Sequence, residues 1–101
     1  MDDKQAMQDI GKRLKALSHK NRLAIFEYLC SQDLACRDSD GRCNVGDIAG
    51  QFDLALSTVS HHLKVLYEAG LIHCEQQGQH VYCTINREAV EELRDFFSFE
   101  Q

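Results

Sequence analysis

Residues 54–71 read LALSTVSHHLKVLYEAGL, and the spacing of their side chains decides how the rest of the chain is read. Val59, Leu63, Leu66 and Gly70 recur at intervals of four, three and four, which on a helix makes one buried stripe. Ser57, Ser60, His61, Lys64 and Glu68 recur at similar intervals on the other side. A helix with a narrow apolar spine and a front of hydroxyls, imidazoles and one lysine fits a DNA major groove. Hydroxyl and imidazole groups reach base edges there, and lysine reaches phosphate or guanine. The same pattern also suits an ordinary amphipathic surface helix, so the flanking segments must decide. Gly70 is suited to the left-handed position that ends the helix.

Upstream, Val45, Ile48, Ala49 and Phe52 predict a short helix from Val45 to about Phe52, and Asp53-Leu54-Ala55 a tight turn. Two helices joined so closely, the second with a polar front, form a helix-turn-helix over residues 44–70. Downstream, Leu71–Glu75 and Val81–Ile85 have strand character around Gln77-Gly78-Gln79. A hairpin centred between Gly78 and Gln79 sets Cys74 opposite Cys83 and Ile72 opposite Ile85. Residues 71–86 then form a wing whose tip (Gln77, Gly78, Gln79, His80) can touch DNA backbone or minor groove.

The remaining helices frame this unit. Over residues 4–17, Met7, Ile10, Leu14 and Leu17 share a stripe, and Ser18 can cap a second helix from His19 to about Ser31. In that helix Leu23, Phe26 and Cys30 share a face, flanked by Ile25 and Leu29. Asn86 can cap a last helix, Arg87 to about Phe99, with Val90, Leu93, Phe96 and Phe97 on one side. So small a domain leaves that stripe little core to cover. The terminal segments 1–17 and 87–101 are therefore expected to pair with a second copy. The expected fold is mainly α with a small β-hairpin. It is a single winged helix-turn-helix domain over residues 1–101, with about five helices and a two-stranded wing.

A net charge of −5 over 101 residues is unusual for a DNA binder until it is divided along the chain. Residues 11–28 set Lys12, Arg13, Lys15, Lys20 and Arg22 against Glu27, whereas residues 88–101 set five acids against Arg94. The acid also collects in the first ten residues and in 29–53, leaving 54–87 neutral. Such a balance weakens non-specific affinity and makes binding salt-dependent without excluding a DNA surface. No apolar run reaches membrane-spanning length and the start is unlike a signal peptide, so a cytoplasmic protein is expected. With no nucleophile elbow, no phosphate-cradling glycine loop and no His-x-x-x-His, an enzyme is not expected, nor an organic cofactor.

The segments LKALSHKNRLAIFEYL, NVGDIAGQF and LSTVSHHLKVLYEAGLI, followed by the hairpin, resemble the ArsR/SmtB family of arsenic-responsive repressors over nearly the whole chain. The resemblance implies a homodimeric winged-helix repressor on a palindromic operator, released by a metal, metalloid or thiol-modifying inducer. It implies helix contacts to DNA from Ser57, Thr58, Ser60, His61, His62 and Lys64, beside the wing residues Gln77, Gln79 and His80. Four departures stand out. Asp53 and Ala55 replace the usual turn glycine and capping serine, and Lys20 replaces a proline. Asn44-Val45-Gly46 replaces the Cys-Val-Cys of arsenic sensors, and the last helix lacks the histidines of zinc sensors.

Five cysteines in a chain expected to be cytosolic point to metal, metalloid or redox chemistry, or to buried thiols. Cys36 and Cys43 flank the hydrophilic loop RDSDGR directly before the helix-turn-helix, an arrangement suited to arsenite, antimonite or another thiophilic ion. Cys30 is the nearest third thiolate, although it also continues an apolar stripe. The same Cys36–Cys43 pair can instead serve as a persulfide or disulfide switch. Cys74 and Cys83 can hold a metalloid, form a disulfide or pack on the wing, and packing is the favoured reading.

Overall fold

The structure is a computed structural model that describes residues 3–35 and 42–98. Its elements are α1 (Asp3–Ala16), α2 (Lys20–Ala35), β1 (Cys43–Asn44), α3 (Val45–Phe52), α4 (Leu56–Glu68), β2 (Ile72–Gln77), β3 (His80–Ile85) and α5 (Arg87–Phe97). This is the winged helix-turn-helix the sequence predicts, with one correction to the sheet. The sheet has three antiparallel strands in the order β1-β3-β2. The added strand pairs Cys43 with Cys83 and Asn44 with Tyr82. A strand of two residues is too short to display the alternation by which strands are found in a sequence.

The hairpin follows the predicted register, with Ile72 opposite Ile85, Cys74 opposite Cys83 and Gln77 opposite His80. Gly78 makes this turn possible. Its φ of +62° is the conformation that a two-residue II′ turn needs at its first central position. Asp53 adopts a left-handed φ of 52° after α3, and its backbone N–H bonds the carbonyls of Ala49 and Gly50. A non-glycine residue there costs some strain, which Asp tolerates better than most.

The core lies between α2, α3, α4, the sheet and the start of α5. Ile25 and Leu29 of α2, Ile48 of α3, Val59 and Leu66 of α4, and Leu71 beyond it have no solvent exposure. The α2 face differs from the expected one, because Leu23 is 49% exposed while Ile25, Phe26 and Leu29 turn inward. α2 also runs past the predicted end at Ser31, as far as Ala35. In the polar run Ser31-Gln32-Asp33 of this extension, Asp33 receives a two-pronged bond from Arg87, Nε to Oδ2 at 3.0 Å and Nη2 to Oδ1 at 3.2 Å. Ser18 does not cap α2; its hydroxyl turns back to the Lys15 carbonyl. The His19 ring takes the cap instead, its Nδ1 accepting from the Asn21 N–H at 3.1 Å.

Two members of the basic cluster are spent inside the fold. Arg22 Nε donates to the Ala16 carbonyl at 2.6 Å. Arg13 donates to the Ala69 carbonyl and forms an ion pair with Glu92, tying α1 to the end of α4 and to α5. A Cβ at Gly70 would meet the guanidinium Nη2 at 3.5 Å, an ordinary van der Waals contact, so it is the backbone conformation that calls for glycine. Gly70 itself has φ +78°, as the sequence reading required.

Candidate nucleic-acid interface

The α4 helix presents its two faces as its spacing predicts. Val59, Leu63 and Leu66 are buried, and Ser57, Thr58, Ser60, His61, Lys64 and Glu68 are exposed. The helix begins without a side-chain cap, since Ala55 holds cap geometry (φ −62°, ψ 144°) but has no acceptor to offer. α3 begins better. Asn44 Oδ1 accepts from the Gly46 N–H at 2.7 Å, and its Nδ2 meets His80 Nδ1 of the wing at 3.0 Å. One side chain therefore fixes both the start of the helix-turn-helix and the angle of the wing tip. The sequence reading missed it, although Asn before an apolar-periodic run is a cap signal.

His62 corrects the expected contact set. It is 5% exposed, with its ring 4.8 Å from that of His19 and its Nδ1 without a hydrogen-bond partner. Residue 62 follows Val59 by three and precedes Leu66 by four, so the same spacing that defines the stripe includes it. Burial holds its imidazole below the ordinary value of 6.5, helped by His19, Arg22 and His61 nearby. It packs against His19 of the α2 entry instead of standing on the exposed row.

The wing residues Gln77, Gln79 and His80 are all exposed, at the end of the hairpin. Between wing and α4 lies a cavity of about 640 Å³ lined by Ser60, Lys64 and Tyr67 on the helix side and by Cys74, Gln79 and His80 on the wing side. Tyr67, 53% exposed, extends the Ser60–Lys64 row by one more helical step and belongs with this face. Val45, Leu56, Leu63 and Val81 also line this cavity, so its wall is mostly apolar; the exposed α4 row and the hairpin tip at its edges are the parts that a major groove and the neighbouring backbone can meet.

Four of the five cysteines fall within the described residues. Cys36 lies outside the described residues. Cys43 is buried in β1, opposite Cys83, which in turn lies opposite Cys74, so that three cysteines form one row across the sheet. Cys74 Sγ and Cys83 Sγ are 3.6 Å apart. The Cys83 thiol bonds to Cys74 and lowers the Cys74 pKa, while that bond, burial and the neighbouring sulfurs push Cys83 up. Cys30 packs against the core, half-buried, and burial together with Asp33 and Glu27 raises its pKa. A raised pKa disfavours the thiolate that a metal needs. Among the described residues no three His, Cys, Asp or Glu side chains are gathered so as to hold a metal ion. No described helix is long and apolar enough to cross a membrane.

Known proteins match this arrangement. Residues 17–75 match the helix-turn-helix domain family. The arsenical resistance operon repressor of Bacillus subtilis is 34% identical over 88% of this chain and 77% of its own. A cadmium resistance regulatory protein CadC homolog of Staphylococcus aureus is 31% identical, over 89% of this chain and 68% of its own. Among solved structures, a homodimeric winged helix-turn-helix DNA-binding domain of Mycobacterium bovis superposes with a TM-score of 0.72. It is 23% identical and covers 95% of this chain and 83% of that one, a likeness of fold.

Proposed function

Because the chain belongs to the ArsR/SmtB family of winged helix-turn-helix transcriptional regulators, we propose that it is a repressor that binds operator DNA as a homodimer. In this reading it leaves the operator when a thiophilic metal or metalloid binds cysteine thiolates. The observation that carries the DNA part is the exposed row Ser57, Ser60, His61 and Lys64 on α4, standing beside the wing tip. Thr58, Gln77, Gln79 and His80 complete the contact set, and His62 is withdrawn from it. The second copy docks on α1 and α5, where Phe96 and Phe97 stack edge to face with ring centroids 5.2 Å apart, 39% and 55% exposed. Two such aromatics on a small domain are what an isologous interface would cover.

The inducer is proposed as arsenite or antimonite, in keeping with the arsenical and cadmium resistance relatives. Its donors are Cys43 and Cys36, at the two ends of the connector that leads into α3. Soft thiolates favour such ions over hard cations. A ligand there would pull on β1 and thus on Asn44, the residue that joins α3 to the wing. No catalytic step and no organic cofactor enter this reading, and the site of action is the cytoplasm. A second reading is a redox- or persulfide-sensing repressor that uses a Cys36–Cys43 dithiol switch; thiol chemistry of this kind is favoured, among the described residues, by the proximity of the Cys74 and Cys83 sulfurs.

The test is selection of duplexes from a random library by the reduced protein, followed by anisotropy titration with and without arsenite. Saturable binding to an inverted repeat and release by arsenite in the wild type, but not in Cys43→Ser or Cys36→Ser, is the expected result. Absence of duplex selection would overturn the DNA reading, and unchanged release in both variants would overturn the assigned donors.

A further inference from the structure

We propose that Cys74 and Cys83 form a redox-active dithiol in the wing, with Cys74 as the sulfur attacked by peroxide and Cys83 as the sulfur that resolves it. Their placement follows from the hairpin. Pairs along an antiparallel ladder alternate between hydrogen-bonded and non-hydrogen-bonded types, beginning with the Gln77–His80 pair that closes the two-residue turn. Counting back from that hydrogen-bonded pair puts Cys74 and Cys83 at a non-hydrogen-bonded position, where side chains approach most closely. Cα separations at such positions are about 4.5 Å, within the span a disulfide bridges. The sulfurs are already 3.6 Å apart and joined by a hydrogen bond.

The two sulfurs differ in access, which sets the order of events. Both residues line the cavity between wing and α4, but Cys74 is exposed and Cys83 has no solvent exposure. A small peroxide entering the cavity therefore meets Cys74 first. The Cys74 thiolate attacks one peroxide oxygen, an S–O bond forms, the O–O bond breaks, and hydroxide leaves to become water. Cys83 sulfur then attacks Cys74 sulfur. An S–S bond forms, the S–O bond breaks, and the departing hydroxide takes the Cys83 proton as a second water. The dithiol loses two electrons and hydrogen peroxide gains them.

Closing the bond shortens the sulfur distance to about 2.05 Å and draws the Cys74 side chain away from the cavity wall that faces Ser60 and Lys64. This step rests on the DNA-binding reading above, because its consequence is a change in how wing and α4 hold a duplex together. A several-fold loss of duplex affinity is expected on oxidation, reversed by dithiothreitol.

The test uses the full chain, reduced and then treated with hydrogen peroxide. Cleavage at Glu75 separates the two cysteines, and a disulfide rejoins the fragments, so peptide mass reports the link directly. Expected are a Cys74–Cys83 disulfide in the wild type, a dimedone-trapped sulfenic acid at Cys74 in Cys83→Ser, and neither product in Cys74→Ser. A link through Cys43 or Cys36 instead, or sulfenic acid at Cys83 alone, overturns the assignment. Formation of the Cys74–Cys83 link with unchanged duplex affinity overturns its coupling to DNA. Failure of the reduced protein to bind any duplex overturns the preceding reading, while the peptide masses still decide the thiol chemistry.

Discussion

The rings of His19 and His62 lie 4.8 Å apart, packing the entry to α2 against the inner face of α4. His62 is buried with an unpartnered Nδ1, and its surroundings include His19, Arg22 and the exposed His61. Its protonation is disfavoured by burial first and by those neighbours second, which places its folded pKa below 6.5. The unfolded chain therefore takes up the proton before the folded one does. Stability is full above about pH 6.5 and falls as the pH drops below it. Melting curves between about pH 8 and pH 5 should show a Tm that declines on the acid side. His62→Leu should flatten that decline and His61→Gln should leave it in place. An equal acid slope in His62→Leu would remove His62 from this role.

Ala55 gives α4 a start without a side-chain acceptor although its backbone is already in cap geometry. Ala55→Ser should therefore stabilise the domain by ~0.5–2 kcal/mol. For a domain of this size each kcal/mol raises Tm by about 4–8 °C. If the loose start of α4 is what lets an inducer move it, the same variant should bind DNA more tightly and respond less to arsenite. A higher Tm with unaltered DNA binding would confine the effect of Ala55 to stability.

Lys64 and His61 stand on the exposed face of α4, whereas His62 does not. Lys64→Ala should weaken duplex binding and, if the contact is to phosphate, reduce the salt slope of log K by about 1. His61→Ala should lose ~1–3 kcal/mol at a preferred site if it reads a base edge. His62→Ala should lower Tm and leave the sequence preference intact. Anisotropy titrations at several salt concentrations, beside melting curves, separate the three outcomes.

Phe97 is 55% exposed and packed edge to face on Phe96 at the end of α5. Phe97→Glu should shift sedimentation from dimer toward monomer and leave the secondary structure unchanged, since the core side of α5 is held by Ala89 and Leu93. An unaltered dimer would move the interface elsewhere.

Much of this architecture is legible in the sequence because it rests on local periodicity and turn chemistry. The Val59–Leu63–Leu66 stripe, the left-handed Asp53 and Gly70, and the Asn86 cap are each set by neighbours within one or two turns. The hairpin register follows from Gly78 alone, and with it the meeting of Cys74 and Cys83. What escapes the sequence depends on partners far along the chain. α2 reaches Ala35 with Asp33 held by Arg87, and β1 exists because β3 offers Cys43 and Asn44 a free edge. His62 is the instructive miss, because an adjacent exposed histidine concealed its place on the buried stripe. For the cysteines, spacing along the chain favoured Cys36 and Cys43, of which Cys36 lies outside the described residues; among the described residues the sulfurs of Cys74 and Cys83 lie 3.6 Å apart.

The most direct measurement is the affinity of the reduced protein for a selected inverted-repeat duplex, read by anisotropy as arsenite is added. The account predicts tight binding of a dimer in the absence of arsenite and at least tenfold weaker binding in its presence. It also predicts that the arsenite effect disappears in Cys43→Ser while binding itself persists. Equal affinity with and without arsenite in the wild type would contradict an inducer held by thiolates, and no saturable binding at all would contradict the repressor.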